Sequence, residues 1–146
     1  MKKRDNAGFS LIELIVVFAL ISVIIAVLAP QYTKYVTSAK VVADIKNGQQ
    51  LATAIQTAIA DPDYENDIYA KTQAGVQLMD GDEGNIPSVI TVLPEVQYKG
   101  KSRNGVNVSD SLIWTASWDV DTGEVDVFCR GVEVYPDATL YSRLRE

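Results

Sequence analysis

Apolar and polar positions divide the chain into regions of different period. From Leu14 to Ala29 sixteen consecutive positions carry no charge, and Ser22 is the only polar side chain among them. Beyond Gln31 the apolar residues recur at helical spacing. Val41, Ile45, Gly48, Ala52, Ile55 and Ile59 lie 4, 3, 4, 3 and 4 positions apart, a stripe down one helix face. Lys34, Lys40, Asp44, Lys46, Asn47 and Gln56 fall among them and are assigned to the other faces. Asp61-Pro62 ends the pattern, because proline disfavours helix in the residue before it. The prediction is one helix from about Phe9 to Ala60, kinked near Pro30 and about 78 Å long at 1.5 Å per residue. Its first half is apolar all round and its second half amphipathic.

From Leu112 the period changes to two. Trp114, Ala116, Trp118 and Val120 alternate with Thr115, Ser117, Asp119 and Asp121, the pattern of a half-buried strand. Thr122-Gly123 reads as the turn, and Val125, Val127 and Cys129 continue the inward face. Pairing Val120 with Val125 keeps both apolar sets on one side. Arg130-Gly131 turns the chain again into Val132, Val134 and Tyr135, and Pro136–Glu146 suits a short helix capped by Asp137. Residues 61–110 are less regular: a short helix within Tyr64–Met79, a polar turn at Asp80–Asn85, a β-prone stretch Ser88–Val96 that Pro94 interrupts, and a loop at Lys99–Gly105 with three positive charges. That loop reads as a solvated tip rather than a nucleic-acid contact. An antiparallel sheet packed on the amphipathic half of a long helix gives an α+β fold.

Composition narrows the chemistry. No histidine is present, so Ser-His-Asp, Cys-His and histidine-bearing zinc sites are excluded, and the single cysteine excludes an internal disulfide and any CxxC motif. Residues 1–8 hold Lys2, Lys3 and Arg4 against Asp5, a net of +2. Of the 13 basic and 19 acidic residues, 10 and 18 remain beyond them, a net of −8. An acidic body repels phosphate backbones at long range, so no direct nucleic-acid partner is expected. The basic tip before an apolar run follows the positive-inside pattern and belongs on the cytoplasmic side.

Three readings compete for Met1–Pro30. As a secretory signal it offers Val27-Leu28-Ala29 for cleavage, but Pro30 follows directly. As an anchor, Phe9–Ala29 gives about 31 Å of helix, matching a bilayer core. Neither accounts for Glu13, an ionisable group inside the span that requires a partner. The run Gly8-Phe9-Ser10-Leu11-Ile12-Glu13-Leu14-Ile15-Val16-Val17 resembles the type III signal of type IV pilins and pseudopilins. The resemblance covers roughly residues 4–35, with Pro30 where many pilins bend the helix and Tyr32 following. It implies that a leader, residues 1–8, is cut between Gly8 and Phe9, that Phe9 is N-methylated by the same prepilin peptidase, and that Glu13 is the assembly residue. Residues 9–29 are then the transmembrane and filament-core half-helix. Residues 30–146 are the globular part: helix to 60, connecting region 61–110, sheet 111–135 and tail 136–146. The amine at Phe9 and the Glu13 carboxylate stand at i and i+4, within reach inside one chain and available to a neighbour in a filament.

The function so implied is a structural subunit of a type IV pilus: inserted in the cytoplasmic membrane with its amino terminus in the cytoplasm, then polymerised into a surface filament for adhesion, motility or biofilm. The implied partners are copies of itself, the prepilin peptidase, a membrane platform protein and an assembly ATPase. Within the family the alternative is a pseudopilin of a type II secretion or DNA-uptake machine; outside it, a monomeric membrane-anchored binding module. No enzyme is expected, since no nucleophile stands with a base and no acid pair flanks a cleft. No cofactor is required. The hairpin register, however, sets Asp119 opposite Asp126 and Asp121 opposite Glu124, like-charge pairs that calcium would suit as a bridge. Asp80–Asn85 lacks the glycine and glutamate positions of an EF-hand loop. Cys129, Trp114 and Trp118 fall on the inward face and read as core. The lone cysteine departs from the disulfide-closed loop of many Gram-negative pilins.

Overall fold

The computed structural model describes residues 9–61, 71–79, 90 and 92–145. The chain forms two compact units, Met1–Tyr35 and Val36–Glu146. Helix α1 spans Leu11–Ala60 and contains Pro30. Strands β1 (Gln73–Gln77), β2 (Trp114–Trp118), β3 (Val125–Cys129) and β4 (Val132–Tyr135) follow, then the short helix α2 (Thr139–Ser142) and a 3-10 turn at Arg143–Arg145. The strands form an antiparallel sheet in the order β1-β2-β3-β4. A long helix followed by an antiparallel meander is the α+β arrangement the two periods predict.

In the second unit the inward residues of the sheet and one face of α1 share a single core. Trp114, Ala116, Trp118, Val127, Cys129 and Val134 are buried together with Val41, Leu51, Ala52, Ile55 and Ala58. Gly48 is where α1 and the sheet come closest: a Cβ there would stand 2.5 Å from Val134 Cγ2. The two indoles are inward, as their alternation requires. Each satisfies its N–H within the fold, Trp114 on Pro94 O at 2.7 Å and Trp118 on Lys71 O at 3.0 Å.

Four expectations need correction. First, the buried face of α1 keeps Val41, Gly48, Ala52 and Ile55 of the expected stripe but is broadened on one side by Asp44, Leu51 and Ala58, while Ile45 and Ile59 are only half-buried. Asp44, assigned to an outer face, is fully buried. Second, Gln73–Gln77 is a strand and not part of a helix. It is an edge strand with a bulge between Gln73 and Val76, where Gly75 adopts φ +66° and its N–H donates to Ser117 Oγ at 2.9 Å. Such an edge shows no alternation in sequence. Third, β2 and β3 pair with Trp118 opposite Val125 and Ser117 opposite Asp126, so Val120 is not opposite Val125. Fourth, the residue preceding α2 as its cap is Ala138, which makes no side-chain cap bond. Asp137 stands one position earlier and accepts from Thr139 N at 2.8 Å and from the Thr139 hydroxyl. Asp80–Asn85 lies outside the described residues.

The hairpin correction has a physical cause. The Asp119 Oδ1 accepts from the backbone of Asp121 at 2.8 Å and of Thr122 at 3.3 Å, folding the chain back on its own carboxylate. Gly123, at φ +72°, then donates to Asp119 O at 2.8 Å, and Asp119 N donates to Glu124 O at 2.9 Å. This closes a longer loop than Thr122-Gly123 alone. A register change of two residues returns every side chain to its own face, so the apolar pattern fits both registers equally well.

Candidate functional site

The first unit is built around its helix start. Ser10 is the last non-helical residue; its carbonyl accepts from Glu13 N at 3.0 Å and Leu14 N at 3.2 Å. The Glu13 side chain reaches back, Oε2 accepting from Ser10 N–H at 2.8 Å. Ser10-Leu11-Ile12-Glu13 thus carries the reciprocal half of a capping box, in which the third helical residue satisfies the backbone donor of the cap. A carboxylate in the first turn is also favoured by the helix dipole. Phe9 is highly exposed beside it, and Phe9, Ile12, Glu13, Val16 and Val17 line one shallow groove. Gly8, the other side of the expected cleavage bond, lies outside the described residues.

Beyond that turn nothing in the unit covers its apolar surface. Leu14, Ile15, Phe18, Leu20, Ile21, Ile24, Ile25 and Leu28 are all exposed. Among the described residues α1 is the one helix long and apolar enough to cross a membrane, with a mean hydropathy of 3.1 in its most apolar window and none of that window buried. Its polar groups are turned inward on the backbone: Ser22 Oγ donates to Phe18 O at 2.7 Å, and Thr33 Oγ1 donates to Pro30 O at 2.9 Å. Pro30 has no N–H to offer Ala26 O, so the helical ladder lacks one bond there while α1 continues through it.

A second constellation lies in the core of the other unit, and the sequence reading missed it. The Asp44 carboxylate accepts from Gln97 N at 2.7 Å, Tyr98 N at 2.8 Å and Tyr141 Oη at 2.8 Å. Arg130, also buried, donates from Nη1 to Tyr98 O at 3.0 Å and Gly100 O at 2.8 Å, and from Nε to Ser109 O at 2.7 Å. An anion and a cation therefore grip the backbone of Tyr98 from its two ends, and the Arg130 guanidinium stands 6.0 Å from the Tyr98 ring centre. Arg130 holds φ +53° and Gly131 φ +78°, the pair of positive values that a two-residue β3–β4 turn demands. Cys129 Sγ lies 3.3 Å from Tyr141 Oη. Burial pushes the Cys129 thiol up to about 12, and burial likewise raises the Tyr141 phenol. The group is satisfied and closed to solvent, which makes it a structural lock. Its signal in the sequence was the 3-4-3-4-3 spacing of Val41, Asp44, Gly48, Leu51, Ile55 and Ala58.

The acids expected to hold calcium are not brought together as predicted. Asp126 faces Ser117 rather than Asp119, and the Asp119 carboxylate is engaged by the loop backbone. Among the described residues no three Asp, Glu or Cys side chains converge as a metal site.

Comparison with known proteins first defines a class. The family model for the prokaryotic N-terminal methylation motif matches residues 3–29, the basic tip, the Gly8-Phe9 bond, Glu13 and the apolar half of α1. Individual relatives make the likeness more particular. A type IV major fimbrial protein FimA of Dichelobacter nodosus is 35% identical over 80 residues, 55% of this chain and 51% of that protein. Two further FimA proteins of that organism are 37% and 39% identical over 59 residues, 40% of this chain and 38% and 37% of their own lengths. The matched part thus spans about half the length of these curated relatives, or less. No solved structure matches. Motif and homology together make the chain similar to type IV fimbrial proteins and to proteins that carry the N-terminal methylation motif.

Proposed function

We propose that the chain is the structural subunit of a type IV fimbrium, cleaved between Gly8 and Phe9, N-methylated at Phe9 and polymerised through the apolar half of α1. The observation that carries this reading is a lone carboxylate, Glu13, in the first turn of α1, whose apolar half to Ala29 is otherwise uncharged and wholly exposed. A bilayer covers such a surface before assembly, and the same surface of neighbouring copies covers it afterwards. Cleavage creates an amine at Phe9 one turn from Glu13, and in a packed helical core that carboxylate is what neutralises it. A copy in the wrong register leaves a charge buried and unpaired, so the pair selects register. On this reading the partners are other copies of the chain, a prepilin peptidase, a membrane platform protein and an assembly ATPase; the chain sits in the cytoplasmic membrane first and in a surface filament afterwards.

Two measurements test it together. Intact-mass analysis of sheared surface material should return a chain beginning at methylated Phe9 as the main subunit, and electron microscopy should show filaments in the same fraction. A chain beginning at Met1 or Gln31 in functional filaments would refute the processing step. A monomer with no filaments would refute the assembly.

A further inference from the structure

The second unit is electrically polarised along α1. Ser38 Oγ donates to Arg145 O at 3.3 Å, and Asn104 Nδ2 donates to Arg143 O at 2.8 Å. These bonds draw the Lys101–Arg103 loop and the Arg143–Arg145 turn to the Ser38 end of the unit. Lys101, Arg103, Arg143 and Arg145 are all exposed there, and the bonds from Asn104 and Ser38 end on the backbone carbonyls of the last two, not on their guanidinium groups. The described carboxylates nearest in sequence to this group are Glu95, paired with Lys99, and Asp137, which accepts from Thr139, with Asp110 one position more distant; Glu146 lies outside the described residues.

The other end carries the opposite sign. Gln56 Nε2 donates to Tyr135 Oη at 3.4 Å, and Gln56, Glu124, Asp126 and Tyr135 line one cleft. With Asp119 and Asp121 on the adjoining loop, four carboxylates gather there, and Lys71, whose carbonyl accepts from Trp118 Nε1, is the cation tied to that end. Ser38 and Gln56 are about 27 Å apart along α1 at 1.5 Å per residue. That exceeds the screening length of about 10 Å at moderate salt, so the two poles act separately on whatever approaches.

A chain with a net charge of −6 repels its own copies over most faces. Only an approach that sets a basic end on an acidic end turns repulsion into attraction. We infer that copies of this chain dock head to tail through these poles, the Lys101, Arg103, Arg143 and Arg145 end of one copy meeting the Asp121 and Glu124 end of another displaced along α1. The inference rests on the filament reading and adds to it a contact between globular units. Charge complementarity of this kind sets partner choice and orientation more than raw affinity. It gives a staggered assembly a reason to prefer one polarity.

Charge reversal in the full chain tests the contact, with filament recovery after shearing read against cell-associated protein. Arg143→Glu with Arg145→Glu reverses one pole; Asp121→Lys with Glu124→Lys reverses the other. These side chains make no bond that holds the fold, so each variant should accumulate like the parent. Each pair alone should cut filament recovery by about tenfold, and all four changes together should restore it to within about threefold. Parental recovery from both single-pole variants would overturn the inference and leave the filament reading standing. Loss in both with no restoration in the combined variant would also overturn it, because the poles would then not face one another. A parent chain that yields no filaments would overturn both.

Discussion

Replacing Asp44 with alanine should destabilise the globular unit far more than an average helix substitution. The carboxylate accepts three hydrogen bonds, from Gln97 N, Tyr98 N and Tyr141 Oη, all at 2.7–2.8 Å. Two of those bonds are buried, and no water can reach the abandoned donors. Each orphaned buried donor costs about 1–3 kcal/mol. Tyr141 can shift its proton toward Cys129 Sγ, 3.3 Å away, which recovers only a weak bond. Relief of carboxylate desolvation offsets part of the loss, and the net expectation is about 3–5 kcal/mol, a large share of the 5–15 kcal/mol typical of a whole domain. Asp44→Asn should cost less, about 2–3 kcal/mol, since one oxygen still accepts while the amide turns a donor toward donors. Tyr141→Phe removes one donor together with its need for a partner and should cost about 1–2 kcal/mol. Urea titration of the detergent-solubilised chain, followed by the fluorescence of Trp114 and Trp118, measures all three. The double variant should lose less than the sum of Asp44→Ala and Tyr141→Phe, by about 1 kcal/mol of coupling. A loss under about 1 kcal/mol for Asp44→Ala, or strict additivity, would refute the view that this carboxylate locks the core.

Other consequences are measurable in the same preparation. Cys129 should resist maleimide at pH 8 in the folded chain and react at once in urea, because burial holds its thiol near 12. The sign of the linkage follows: between the unfolded thiol value near 8.5 and about 12 the folded state keeps a proton that the unfolded state has lost. Stability should therefore fall as pH rises through that window, and Cys129→Ala should flatten the fall. Gly48→Ala should destabilise by about 1 kcal/mol despite alanine's better helix propensity, since its Cβ would stand 2.5 Å from a stiff Val134 methyl; a rise in melting temperature would show that the sheet yields there. Glu13→Val should insert in the membrane, yet leave few or no filaments, with Glu13→Asp milder. Normal filament yield from the valine variant with Phe9 correctly exposed would remove Glu13 from the assembly mechanism.

Much of the fold is legible in two periods. The uncharged run from Leu14 and the 3-4 spacing after Gln31 give α1 almost to its ends, and the alternation from Trp114 gives β2, β3 and β4 with their faces correct. The details that escaped are those where hydrophobicity is silent or points the wrong way. Two registers of the β2–β3 hairpin bury the same residues, and the choice between them lies with one Asp119 carboxylate folding the loop onto itself. β1 has a bulge at Gly75 and an exposed edge, so it has no alternation to read. Asp44 occupies a core position by spacing and an outer one by chemistry; spacing was the better guide, because Tyr141 and the Gln97–Tyr98 backbone supply what a buried carboxylate needs. Of the candidate site, Phe9 and Glu13 stand out as sequence motif alone, while the back-bonding of Glu13 to Ser10 required geometry.

The lock at Asp44 also bears on the order in which the chain folds. The sheet is a meander of neighbouring strands, so β2, β3 and β4 can pair as each arrives, closing loops of a few residues. Asp44 must wait for Tyr141, 97 positions later. Until that residue has been synthesised, the helix presents a carboxylate where the core will be, and water rather than protein solvates it. The apolar faces therefore close fully over α1 only once nearly the whole unit has been made, when the phenol takes over from water.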